Sequence, residues 1–193
     1  MTNKNLLKIE DVYFAYTCIA EPTFKFEPKI EKEFKTTVIL SEDQSDDFKK
    51  LKLNKTVKEI LTSEFEAKYK FAPPYPDQKR QYLIGVSKRA TYKDGNPTPE
   101  FTYPKAVYKK DEGSEFVDIT TTNIGNGSFG DIRLEPSYSE KARSTNISLH
   151  SVLIRDLVPY EKKGDEWATS GSNVRSGSPN TPPAITENDD LPF

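Results

Sequence analysis

The chain has 193 residues, of which 34% are hydrophobic, 30% charged and 11% aromatic, and its formal net charge is -2. That size suits one ordinary domain with an appendage. A single cysteine, Cys18, excludes an internal disulfide, a single histidine, His150, leaves no Cys/His metal set, and no stretch approaches the roughly 20 apolar residues of a membrane span.

The opening segment MTNKNLLKIEDVYF lacks the apolar run of a signal peptide, so a cytoplasmic, reducing setting is expected. Leu6 to Ala20 is rich in β-branched and aromatic residues and reads as a long, bent first strand. Lys32 to Ser41 is a second, with Phe34, Thr36 and Val38 alternating against Lys35, Thr37 and Ile39. Ser41 is a plausible cap ahead of Glu42 and Asp43, and the apolar spacing from Phe48 to Phe65 predicts one or two helices over about 42–70. Pro73, Pro74 and Pro76 end that pattern.

β character returns at Tyr82–Tyr92, where Leu83 and Val86 both face inward only across a bulge at Gly85. A turn at Lys93–Asn96 and a short strand at Pro104–Tyr108 follow, with an edge at Asp118–Thr122. Ile124–Ser139 and Thr145–Tyr160 form a closing pair, with a bulge expected near His150 or Ser151. Gly125-Asn126-Gly127 reads as a sharp turn and not a phosphate cradle, because no helix or lysine follows it. The last thirty residues change character: Gly, Ser, Asn, Thr and Pro dominate Thr169 to Thr186, which predicts a disordered tail. The expected division is a β-rich domain over 1–163 and a linker with an acidic tip over 164–193. A small closed barrel and an open β-sandwich both fit the elements.

The small net charge hides a segregation. Gly164–Phe193 carries five acids and one base, whereas Lys79–Lys110 carries eight bases and two acids. Through that basic stretch Lys88, Arg89, Tyr92, Lys93, Tyr103, Lys105 and Tyr108 interleave cations with rings. Cations neutralise phosphates and rings stack on unpaired bases, so these residues are the first candidates for single-stranded DNA contact. Tyr13, Tyr16, Lys25, Lys35, Arg133 and Arg143 are further candidates. No catalytic residue, metal or cofactor is expected: Glu42, Asp43, Asp46 and Asp47 are explained as the solvated start of a helix.

At the other end, Asp189, Asp190, Leu191, Pro192 and Phe193 place a ring and the terminal carboxylate beside acids, a peptide suited to an apolar pocket rimmed by cations. This tip closely resembles the end of bacterial single-stranded DNA-binding proteins. The body resembles the single-stranded DNA-binding proteins of bacteriophages through Thr37-VIL-Leu40, the IGNGS turn at Ile124–Ser128 and the closing Ser148–Tyr160. The resemblance implies a mainly β, OB-fold-like, five-stranded Greek-key barrel with a helical insertion and a disordered C-terminal tail. It also implies sequence-independent binding and protection of single-stranded DNA in replication, recombination and repair. The tip would recruit a polymerase, helicase, primase or exonuclease, no membrane is involved, and a homo-oligomeric state is left open. The competing expectation is a β-sandwich adaptor module without DNA binding.

Overall fold

β1 (Leu7–Phe24) sets the architecture because it is long enough to serve two neighbours. In the computed structural model, which describes residues 6–25, 30–111 and 113–160, its first half pairs with β7 (Phe129–Ser139) and its second half with β2 (Lys32–Leu40). Two residues with positive φ, Asp11 at 56° and Tyr16 at 50°, mark where the strand bulges between those partners. A bulge adds a residue on one strand and increases the local twist, which lets one strand turn from one neighbour to the next.

The remaining elements are α1 (Glu42–Lys50), β3 (Lys58–Leu61), α2 (Thr62–Tyr69), β4 (Arg80–Arg89), β5 (Lys105–Tyr108), β6 (Val117–Asp118) and β8 (Ser144–Asp156). Among the described residues the strands make one mixed sheet of 8 in the order β3-β4-β2-β1-β7-β8-β5-β6, with β5 parallel to β8. Within it, the run β4-β2-β1-β7-β8 supplies the five strands of the expected OB-fold-like curl, and β4 comes into contact with β8. Three short strands extend that run. Val12, Phe14, Val38, Leu40, Ile84, Val86, Ile132, Leu134, Leu149 and Ile154 fill the inside and are buried. β8 carries the expected bulge: pairing steps from Arg133–Ser151 to Leu134–Leu149, leaving His150 as the extra residue.

The insertion differs in detail from the expected helices. Ser41 caps α1: its Oγ accepts from the Gln44 N–H at 3.2 Å, and Gln44 Oε1 accepts from the Ser41 N–H at 2.8 Å. Lys58–Leu61, read as helical by spacing, is instead a strand on the edge of β4, from Lys58–Leu83 to Leu61–Arg80. The pairing competes with helix here because β4 offers an open edge. α2 then lies against the outside of the sheet, where Phe65 and Tyr69 pack with Ala15, Ile39 and Leu83. Gln81, fully buried, ties the proline segment down: its Nε2 donates to the Tyr75 carbonyl at 2.7 Å and to Thr62 Oγ1 at 3.0 Å. Among the described residues no helix is long and apolar enough to cross a membrane. The tail and its tip, Asp189, Asp190, Leu191, Pro192 and Phe193, lie outside the described residues.

Candidate nucleic-acid interface

Strand register assigns the side chains of the outer face row by row. Lys58, Leu83, Ile39 and Tyr13 lie across β3, β4, β2 and β1; Gly85, Thr37 and Ala15 form the next row; Ser87, Lys35 and Cys18 the next; Arg89 and Glu33 follow. The β2–β4 register runs without a shift from Glu33–Arg89 to Leu40–Tyr82, so Gly85 makes no bulge and Leu83 faces outward while Ile84 and Val86 face in. The aromatic residues on and after α2 cover Leu83, Ile39 and Tyr13 of the first row and Ala15 of the second. The rest of the face stays open as a groove of about 570 Å³ lined by Tyr16, Glu33, Lys35, Thr37, Lys55, Lys58, Gly85 and Ser87.

Three ammonium groups converge on this groove. Lys35 and Lys58 come from strands, whereas Lys55 comes from the loop after α1, which is pinned where the Asn54 N–H donates to the Thr145 carbonyl at 2.8 Å. Among the described residues none of the three has a carboxylate within ion-pair distance, and Glu33 is the single acid of the lining. Burial holds the Lys55 ammonium below the ordinary lysine range; Glu33 opposes that and Lys58 adds to it. A partly desolvated cation beside another gains most from an incoming anion. The floor is bare at Gly85, where an added Cβ would meet nothing within 4 Å. At one end stands Tyr16, 47% exposed, its ring 5.6 Å from that of Tyr69 and its hydroxyl donating to the Lys68 carbonyl at 2.9 Å.

Of the residues singled out by sequence, Tyr16 and Lys35 meet in the groove, and Arg89 shares its face, exposed, two positions beyond Ser87. Lys88 lies in the inward alternation, half-buried, with its Nζ 2.8 Å from Glu135 of β7. Tyr103 packs on Phe34 with ring centroids 4.8 Å apart, and Tyr108 packs against the core. Tyr13 is half-buried between Tyr75 and Phe129. Tyr92 and Lys93 are exposed in the hairpin after β4, Lys105 on β5 and Lys25 just past β1. Arg133 lines a separate hollow with Lys8 and Phe116, and Arg143 occupies the β7–β8 turn. Lys55 and Lys58 escaped notice because they sat inside an expected helix. Phe24, exposed with the Lys32 ammonium 4.9 Å from its ring centre, was hidden at the end of a strand longer than expected. Gly85 was the one visible signal, since a glycine inside a strand pattern marks a bulge or a close backbone approach.

Fold and groove together define a mainly β, OB-fold-like protein with an open cationic and aromatic face. No protein family and no curated protein sequence matches the chain. Among solved structures it is similar to phage single-stranded DNA-binding proteins. One is that of bacteriophage Enc34 with its C-terminus truncated, at 14% identity and a TM-score of 0.48, covering 82% of this chain and 90% of that one. The Enc34 protein in complex with single-stranded DNA matches at 14% identity and a TM-score of 0.46 over 84% and 91% of the two chains. The bacteriophage T7 protein gp2.5 matches at 16% identity and a TM-score of 0.44, over 91% of this chain and all of that one.

Proposed function

We propose that the chain binds single-stranded DNA, without base-specific readout, along the outer groove of β1, β2 and β4. The observation that supports it best is the meeting of Lys35, Lys55 and Lys58, none paired with a carboxylate among the described residues, beside the exposed Tyr16 ring. The ammonium groups neutralise phosphates, and Tyr16 stacks on one base, a contact contributing on the order of 1–3 kcal/mol for any base. A duplex keeps its base faces stacked internally and cannot offer them to this ring. Arg89, Tyr92, Lys93 and Lys105 extend the path beyond the groove. The action is binding and protection in a cytoplasmic setting, serving replication, recombination and repair, with no covalent step. Among the described residues no group of three His, Cys, Asp or Glu side chains is placed to hold a metal.

Fluorescence anisotropy with labelled oligo-dT at two salt concentrations tests the reading. Tight binding at low salt should fall steeply as salt rises. Changing Lys35, Lys55 and Lys58 together to Gln should flatten the logarithmic salt slope by about 2, at about 0.7 per neutralised phosphate on a single strand. Absence of binding, or a slope the triple change leaves intact, refutes the groove.

The tip from Asp189 to Phe193 is proposed to recruit replication or repair enzymes, its acids competing for the cationic groove when DNA is absent. Removing residues 187–193 should tighten oligo-dT binding modestly and abolish capture of those enzymes. Undiminished pull-down after loss of Phe193 alone contradicts the recruitment role.

A further inference from the structure

We propose that Asn126 is a positioning residue that holds the Tyr16 ring ready to stack, an inference that rests on the single-strand reading above. Tyr16 sits at a bulge with φ 50°, a conformation residues with side chains adopt rarely and keep only when their surroundings impose it. The bulge takes its backbone N–H out of the β1–β2 ladder, whose register jumps between Ala15 and Cys18. Asn126 supplies the replacement: its Oδ1 accepts from the Tyr16 N–H at 2.7 Å. On its other side Asn126 Nδ2 donates to the Tyr69 carbonyl at 3.1 Å, one of the carbonyls the end of α2 leaves without a helical donor. The next carbonyl back, that of Lys68, accepts from the Tyr16 hydroxyl.

One carboxamide therefore joins the bulge that launches Tyr16 to the helix end that catches its hydroxyl. An N–H on one side and a C=O on the other leave only one orientation of the amide that satisfies both. No other side chain of similar length offers that acceptor and donor together at this place. The flanking glycines serve the same device. Gly127, at φ 89°, donates its N–H to the Phe14 carbonyl at 2.9 Å, and a Cβ there would lie 3.2 Å from Phe71. A Cβ on Gly125 would lie 2.6 Å from the Pro159 carbonyl oxygen. The turn is thus pressed against β1 on one side and the chain after β8 on the other, with only the Asn126 side chain free to reach the bulge. Ordering of the ring before DNA arrives spares that cost on binding.

The test is a double-mutant cycle in the full chain, read by oligo-dT anisotropy at several salt concentrations, with thermal unfolding followed alongside. Asn126→Ala should weaken binding about tenfold, less than or equal to the loss in Tyr16→Leu, and leave the salt slope unchanged because no phosphate contact is lost. In the Tyr16→Leu background the same change should have no further effect, the mark of two residues acting through one contact. Asn126→Asp keeps the acceptor for the Tyr16 amide and loses the donor, so its loss should be smaller; it also carries the comparison if the Ala variant does not fold. Unchanged affinity in Asn126→Ala, losses that multiply in the double variant, or a flattened salt slope would each overturn the proposal. These outcomes bear on Asn126 alone; the groove reading is tested separately, by oligo-dT binding itself and by the lysine triple variant.

Discussion

Cys18 lies in register with Lys35 on the open face, and its thiol answers to the same surroundings as the proposed ligand. Burial pushes the thiol above its ordinary range, with the Lys35 ammonium pulling the other way. A raised thiol titration means that the reactive thiolate is scarce near neutral pH and appears only as pH climbs beyond the usual cysteine range. Alkylation by iodoacetamide at pH 8 should therefore run slower in the native protein than in the unfolded chain, and the gap should narrow as pH rises. Saturating oligo-dT should slow it further, because the strand would cover the row that Cys18 shares with Lys35. Labelling at the unfolded rate would show that the thiol is not desolvated, and labelling indifferent to DNA would place the strand elsewhere. Lys55 is the mirror case, a cation whose charge burial disfavours and which an incoming phosphate would stabilise.

At the scale of elements, α1 depends on its cap. Ser41→Ala removes the Ser41 half of the reciprocal bonds with Gln44 and should cost about 1 kcal/mol by chemical denaturation. The loss should be accompanied by loosening at β1, because Gln44 Nε2 also donates to the Glu10 carbonyl at 2.7 Å, beside the Asp11 bulge. A stability within about 0.3 kcal/mol of the parent would mean the cap is not holding the helix. This helix start was legible in the sequence, as were β1, β2, β4, β7 and β8, since alternation and turn residues are local signals. β3 was not. Val57, Ile60, Leu61 and Phe65 satisfy helical spacing as well as strand burial, and the choice is made by an edge of β4 some 20 residues away. The site was legible to the same extent. Tyr16 and Lys35 stand on strands whose face could be counted, but choosing Arg89 over Lys88 required knowing that Gly85 leaves the register unbroken. Lys55 and Lys58 became visible only once the insertion was folded against the sheet. Tyr103 and Tyr108 show the other limit, since an aromatic among cations reads alike whether it packs on Phe34 or faces water.

Across the whole molecule, stability and binding occupy different layers. The inside of the curl is filled by residues such as Phe14, Val38, Ile84 and Leu149, all fully buried, while the groove lies on the opposite side of the same strands. Alternation along β2 and β4 makes this separation possible: each strand spends one set of side chains on the core and the other on the surface. Groove lysines can accordingly be exchanged for Gln without opening a cavity, which is why the triple variant is a clean test of binding. β1 couples the two halves of the sheet, since it alone pairs with both β2 and β7. That dual role has a cost in time. Asp11, bonded through its N–H to Asp131, lies 120 residues ahead of its partner. Synthesised at about 5–20 residues per second, the first half of β1 waits about 6–24 s for β7 to emerge. Throughout that interval it is an unclosed edge that any passing strand could join. Lys8, Glu10 and Asp11 lie along this waiting stretch, and charges there discourage a wrong partner until the right one has been made.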